Sequence, residues 1–268
     1  MARKPTKQAE ALATDETGMT EQPVVSGTLP LYRDARPVLP QTHGNRAIAA
    51  GASGFGFAAN APLIPITVDE FERAALDYPI VFVGPAKRAF VVTGLGADKN
   101  LFIEGESYRA GAYVPAYLRR YPFVFARDDA DQVRILCLDE ASDRIVDAGE
   151  AGSMPLFDGD QPTDATRHAL AFCQEFEAAE KGTELFVALL GELDLLIPQQ
   201  AHLNPPSADG ANEPQSELLL DYLSIDRTKL EALSAESWQL LTKTRAVGPV
   251  YAQLLSIANW GVLAERRI

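Results

Sequence analysis

From Thr67 onward the apolar residues Val68, Phe71, Ala74 and Ala75 recur at helical spacing. Thr67 and Glu70 stand three residues apart, the separation of a capping box, so the pattern predicts a helix starting there. Pro79 ends that helix. The continuous apolar run Ile80-Val81-Phe82-Val83 then predicts a buried strand, Gly84-Pro85 a turn, Ala89 to Thr93 a second strand, and Leu101 to Glu104 a short third. The same order returns 43 residues later. Tyr113, Tyr117 and Leu118 share a helical face, with Pro115 tolerated in its first turn, and Pro122 stops the helix as Pro79 did. Phe123 to Ala126 and Val133 to Leu138 predict strands around the turn Asp128 to Asp131, and Arg144-Ile145-Val146 a matching third strand. Tyr78-Pro79-Ile80-Val81-Phe82-Val83 and Tyr121-Pro122-Phe123-Val124-Phe125-Ala126 thus read as equivalent parts of a duplicated helix–strand–strand unit.

Beyond residue 163 the period is mainly helical. Ala169, Phe172, Cys173 and Phe176 form one stripe and Leu185, Phe186, Leu189, Leu190 and Leu193 another, with Gly182 separating or kinking the two. Ile197 to Leu203 and Leu218 to Ile225 predict strands around a Pro-, Asn- and Gly-rich loop, Asn204 to Glu217. Asp226 and Ser234 are expected to cap two short helices. A last helix, with Pro249 in its first turn, carries the stripe Tyr251, Leu254, Leu255, Ala258 and Val262. Trp260 departs from that stripe, so it is either partly exposed or packed under the loop at 51–66. Residues 1–28 show no hydrophobic period and are expected to be a disordered tail. The fold class expected is α+β: duplicated helix–strand–strand units (about 67–104 and 111–146) forming a mostly antiparallel sheet covered by C-terminal helices (163–268), in one domain spanning 29–268.

Composition narrows the function classes. The chain has 268 residues and a net charge of −13, which repels duplex nucleic acid and anionic membranes on average, so no nucleic-acid partner is expected. No apolar run approaches the roughly 20 residues that span a bilayer, and the basic start Met1-Ala2-Arg3-Lys4-Pro5 is followed by polar residues rather than the apolar core of a signal peptide; a cytoplasmic protein is the expectation. Cys137 and Cys173 sit in apolar runs and read as buried thiols, and no CxxC occurs. His43, His168 and His202 are far apart, with no HxH or HExxH, so no metal is assigned. No GxSxG is present. Gly54-Phe55-Gly56 lacks both the third glycine of a dinucleotide loop and the lysine of a phosphate loop. No cofactor follows, and the segment reads as a surface loop pinned by Phe55 and Phe57.

The segment Ala110-Gly111-Ala112-Tyr113-Val114-Pro115-Ala116-Tyr117-Leu118-Arg119-Arg120-Tyr121-Pro122-Phe123 resembles the signature of the bacterial SapC family. Asp77-Tyr78-Pro79-Ile80-Val81-Phe82, Asn100-Leu101-Phe102, Leu170-Ala171-Phe172-Cys173 and Ala258-Asn259-Trp260 agree with it, so the resemblance runs from about Leu29 to the C-terminus. It implies an S-layer or peptide-transport label and a nutrient-uptake setting beside TonB-dependent receptors. The partner it implies is a co-encoded protein such as a flavin-dependent halogenase-like enzyme or an uptake component. It supplies no catalytic residues.

The residues themselves offer one candidate chemistry. From Ser107 to Arg127 there is no Asp or Glu, while Arg109, Arg119, Arg120 and Arg127 are interleaved with Tyr108, Tyr113, Tyr117 and Tyr121. Guanidinium forks match carboxylate or phosphate, and tyrosines add flat faces with a hydroxyl. Arg109, Tyr113, Tyr117, Arg119, Arg120 and Arg127 are therefore the candidate ligand site for a peptide or small anion, with Phe55, Phe57 and Asn60 of the glycine loop as possible contributors. The competing reading pairs these arginines internally with the ten acids of residues 128–160. A non-catalytic binding or accessory protein is the expected function. Its alternatives are an enzyme with dispersed residues acting on a peptide or carbohydrate, and a structural assembly subunit.

Overall fold

The computed structural model of the chain describes residues 29–51, 54–96, 99–127, 134–203 and 217–266; the expected tail, the turn at 128–131 and most of the loop at 204–217 lie outside them. The fold is α+β, with antiparallel sheets and C-terminal helices. The largest sheet has five strands in the order Leu196–Leu203, Glu217–Ile225, Ile80–Val83, Arg88–Val92, Leu63–Pro65, every neighbour antiparallel. Ile80, Val81, Phe82 and Val91 are fully buried within it, as expected of a continuous apolar run.

The helix–strand–strand order does occur twice. Val68–Glu70 and Phe71–Ala74 precede the hairpin Ile80–Val83/Arg88–Val92, and Ala116–Arg119 precedes the hairpin Phe123–Arg127/Arg134–Asp139. The two hairpins nevertheless enter different sheets. The second pairs with Ala35–Pro37 in a three-stranded sheet. The expected third strands extend neither hairpin: Ile103–Glu104 pairs with Ser107–Tyr108, and Ile145–Asp147 pairs with Arg46–Ile48. Both are too short to set their own partner, and tertiary neighbours claim them.

Glu70 ties the two units together. It is buried at 6% exposure. Its Oε2 accepts from the Thr67 amide (3.0 Å) and hydroxyl (2.8 Å), and its Oε1 from the Tyr113 hydroxyl (2.8 Å) and the Ala116 amide (2.6 Å). One carboxylate thereby closes the capping box of the first unit and supplies an acceptor to the first turn of the second helix.

The helical half departs from expectation in two places. Asp164–Glu192 is one continuous helix of 29 residues, capped by Thr163, and Gly182 sits inside it without a break. A lone glycine costs an interior turn only about 1 kcal/mol, which the packing of Phe176, Phe186 and Leu190 overrides. The expected last helix is two, Val247–Ser256 and Asn259–Arg266, and the first of them buries a different face. Tyr251, Leu255 and Val262 are exposed, whereas Val250, Ala252, Gln253 and Ser256 are buried. The cause is backbone hydrogen bonding. Strands Glu217–Ile225 and Ile80–Val83 meet in a single ladder pair, Leu223 with Phe82. Gln253 joins them where the ladder stops: its Nε2 donates to the Ile80 carbonyl (3.0 Å) and Ser224 Oγ (3.0 Å), and its Oε1 accepts from the Ile225 amide (3.2 Å). Ser256 Oγ accepts from the Ile80 amide at 2.9 Å. Buried strand groups need partners, and this requirement outweighs the apolar stripe. Trp260 packs half-buried against Tyr222, 5.7 Å between rings, rather than under the glycine loop. The caps at Asp226 and Ser234 form as expected.

Candidate functional site

The acid-free segment does not make one surface. Ala116–Arg119 is a single turn of helix, so consecutive residues leave it in different directions. Arg119 is exposed. Its Nε donates to the Val114 carbonyl (3.1 Å) and its Nη2 to the Tyr113 hydroxyl (3.4 Å), and its guanidinium lies 5.4 Å from the Phe172 ring centre. Arg109 is exposed near Arg266. The side chain of Arg127 lies outside the described residues. Arg120 and Tyr117 turn inward, at 8% and 2% exposure.

Arg120 occupies an aromatic cage. Its guanidinium carbon is 4.2 Å from the ring centre of Phe176, 4.4 Å from Tyr117 and 5.8 Å from Tyr32, the geometry of cation–π contact. The two tyrosines are held by their own hydroxyls, Tyr117 donating to the Pro30 carbonyl (2.6 Å) and Tyr32 to the Phe123 carbonyl (2.7 Å). Burial pushes both phenols well above their ordinary pKa, so they stay neutral donors at physiological pH. Among the described residues no carboxylate lies within ion-pairing distance of Arg109, Arg119 or Arg120. Three of the ten acids of residues 128–160 are engaged elsewhere: Glu140 pairs with His43 at 3.0 Å, Asp147 with Arg46 at 2.9 Å, and buried Asp139 accepts from the Asp34 amide (2.8 Å) and the Tyr121 hydroxyl (3.1 Å). Arg120 Nε is buried without a hydrogen-bond partner.

That guanidinium lines a cleft between the 29-residue helix and the two hairpins. One lobe, of about 440 Å³, is bordered by Arg120, Tyr117, Arg134, Arg88 and, from the helix, Cys173, Glu177, Glu180, Lys181 and Glu184. A neighbouring lobe of about 530 Å³ shares Arg88, Glu180 and Glu184 and adds the apolar side chains of Ile66, Phe176 and Val187. Arg134 Nε meets Glu177 Oε1 at 2.8 Å and Arg88 Nη2 meets Glu180 Oε1 at 3.3 Å. Glu177 Oε2 is buried without a partner. Burial raises the Glu180 pKa against the pull of Arg120 and Arg88. The arrangement can hold an anionic group deep and a second polar group at the helix, and its size is that of an ordinary small-molecule pocket.

The glycine loop is built differently. Phe57 stacks on Tyr121 (3.8 Å) and Phe55 packs edge-on to Tyr108 (5.2 Å). Arg144, buried at 7% exposure, lies over Phe55, Phe57 and Tyr121 and donates to the Tyr121 carbonyl (2.6 Å) and the Gly54 carbonyl. Gly56 donates to Glu106 (3.1 Å). Phe55 and Phe57 thus pin the loop, Asn60 is exposed, and none of the three borders either lobe of the cleft among the described residues. Among the described residues, Tyr117 and Arg120 are the sequence-derived candidates that reach the cleft. Glu177, Glu180, Arg88, Arg134 and Tyr32 were missed. The one available signal was the spacing of Glu177, Glu180 and Glu184, at i, i+3 and i+7 beside the buried stripe of a long helix. Among the described residues no group of three His, Cys, Asp or Glu side chains could hold a metal ion, and no helix is long and apolar enough to cross a membrane.

A family model described as SapC matches residues 39–263, most of the chain. No curated protein and no solved structure shows a match.

Proposed function

Since the chain belongs to the SapC family, whose label carries no chemistry, we propose from the site alone that the protein is a non-catalytic binder of a peptide or small anionic ligand, held in the cleft with Arg120 as its anchor. The observation that carries this reading is a caged, permanently charged guanidinium, 8% exposed, with an unpartnered Nε and, among the described residues, no carboxylate within ion-pairing distance, on the wall of a cavity of about 440 Å³. A buried unpaired charge is expensive unless something compensates it, and a bound carboxylate does so with a charge-assisted hydrogen bond. The proposed setting is the cytoplasm, in service of a nutrient-uptake or peptide-modifying system. The partner there would be a co-encoded protein such as a flavin-dependent halogenase-like enzyme or an uptake component. The support for that setting is the family resemblance.

Isothermal titration with carboxylate ligands tests the anchor. Arg120→Lys keeps the charge and the cage but loses the fork, and is expected to weaken binding at least tenfold. Arg109→Lys, outside the cleft, should leave it unchanged. An Arg120→Lys variant that melts like the parent and binds as tightly overturns the reading.

A further inference from the structure

The same cleft says what kind of ligand it takes, an inference that rests on the reading of it as a ligand site. Two of the residues that line it each carry a buried polar atom without a partner, and the two are of opposite character: Arg120 Nε, which can only donate, and Glu177 Oε2, which can only accept. Both residues border the same lobe of about 440 Å³. They do not satisfy one another, and each already has a fixed position. Arg120 is clamped by the rings of Phe176 and Tyr117, and Glu177 is held through its other oxygen by Arg134 at 2.8 Å. An occupant that meets both demands presents an acceptor to one and a donor to the other.

The charges around the lobe point the same way. Four cations (Arg88, Arg120, Arg134, Lys181) face three carboxylates (Glu177, Glu180, Glu184). Arg134, Arg88 and Lys181 each pair with one of the glutamates, at 2.8, 3.3 and 3.1 Å. A compact polyanion such as phosphate would match Arg120 but bring no donor to Glu177 Oε2 and would compete with those carboxylates for their cations. A simple amine would match the glutamates and meet the guanidiniums. A molecule carrying one carboxylate and one ammonium is repelled by neither set. The adjoining lobe, lined by Ile66, Phe176 and Val187, adds apolar surface beside the charged one, which suits a side chain. We propose that the cleft is a zwitterion site, taking a free amino acid or short peptide with its carboxylate on Arg120 and its ammonium on Glu177.

The test is a thermal-shift screen of the full-length protein with the complete set of natural dipeptides and with inorganic phosphate, followed by calorimetry on the best dipeptide and two masked forms of it. The N-acetyl form removes the ammonium and the C-terminal amide removes the carboxylate. Either mask is expected to weaken binding at least tenfold, and phosphate should produce no shift. Glu177→Gln, its fold checked by its melting temperature against the parent, should bring the free and N-acetylated peptides to within about threefold of one another. If phosphate or the N-acetylated peptide binds the parent as tightly as the free peptide, the zwitterion assignment is overturned while the anion-anchor reading stands. If the amide binds as tightly as the free acid, or if neither any dipeptide nor phosphate binds, the anchor reading falls and takes this one with it.

Discussion

Glu70 is the residue whose loss the fold should feel most clearly, and the cost follows from its four donors. In Glu70→Ala the amides of Thr67 and Ala116 lose their acceptor inside the protein, at positions 3% and 8% exposed. The hydroxyls of Thr67 and half-buried Tyr113 can rotate towards other acceptors, but a backbone N–H cannot. Each stranded buried donor costs about 1–3 kcal/mol, so the pair sets an expected loss of about 2–6 kcal/mol, towards the upper end for a point substitution. Glu70→Gln keeps the shape but turns an NH₂ group towards a donor and should cost about 2–3 kcal/mol. Urea unfolding followed by circular dichroism measures both: the midpoint falls and the slope is unchanged. Adding Tyr113→Phe closes a double-mutant cycle, with an expected coupling of at least about 0.5 kcal/mol to Glu70→Ala. A Glu70→Ala loss below about 1 kcal/mol would refute the claim that this carboxylate joins the two helix–strand–strand units.

Three further outcomes follow from other buried groups. Gln253→Leu improves the apolar count of its helix yet should destabilise by about 2–4 kcal/mol, because the Ile80 carbonyl and Ile225 amide lose their partner; an unchanged urea midpoint would contradict the bridging role. Gly94→Ala places a Cβ 1.7 Å from the backbone oxygen of Lys99, an overlap of rigid groups that should cost about 3 kcal/mol or more, read as lost soluble yield or a lowered Tm. Burial raises both Cys137 and Cys173 to a pKa of about 11. At pH 8 the folded protein should therefore react with iodoacetamide about 100-fold more slowly than the unfolded chain. Because the unfolded chain sheds these protons first, their contribution to stability is whole below pH 9 and is lost between pH 9 and 11; pH-dependent urea midpoints check the sign.

Much of the local structure was legible in the sequence because single residues determine it. The capping box at Thr67 and Glu70 and the caps at Asp226 and Ser234 are short-range chemistry, and they stand where the pattern put them; the two short helices end at Ala74 and Arg119, ahead of the expected stops at Pro79 and Pro122. Pairing was not legible. Nothing in Ile103–Glu104 or Ile145–Asp147 says which strand will accept them. The buried face of Val247–Ser256 was misread for a physical reason, since hydrophobic periodicity is blind to the hydrogen bonds that Gln253 and Ser256 supply to strand ends. For the candidate site the composition marks a segment but not a surface, because a helix of four residues sends Arg119 outward and Arg120 inward. The other half of the cleft comes from a helix more than fifty residues away, whose glutamates look like ordinary surface charge until the fold sets them opposite the arginine.

The crystal structure of the complex with the tightest-binding dipeptide tests the central claim most directly. The account predicts electron density in the cleft with a carboxylate oxygen within about 3.2 Å of Arg120 Nε and the ammonium against Glu177. A ligand seated elsewhere, or one whose carboxylate points away from Arg120, would contradict it.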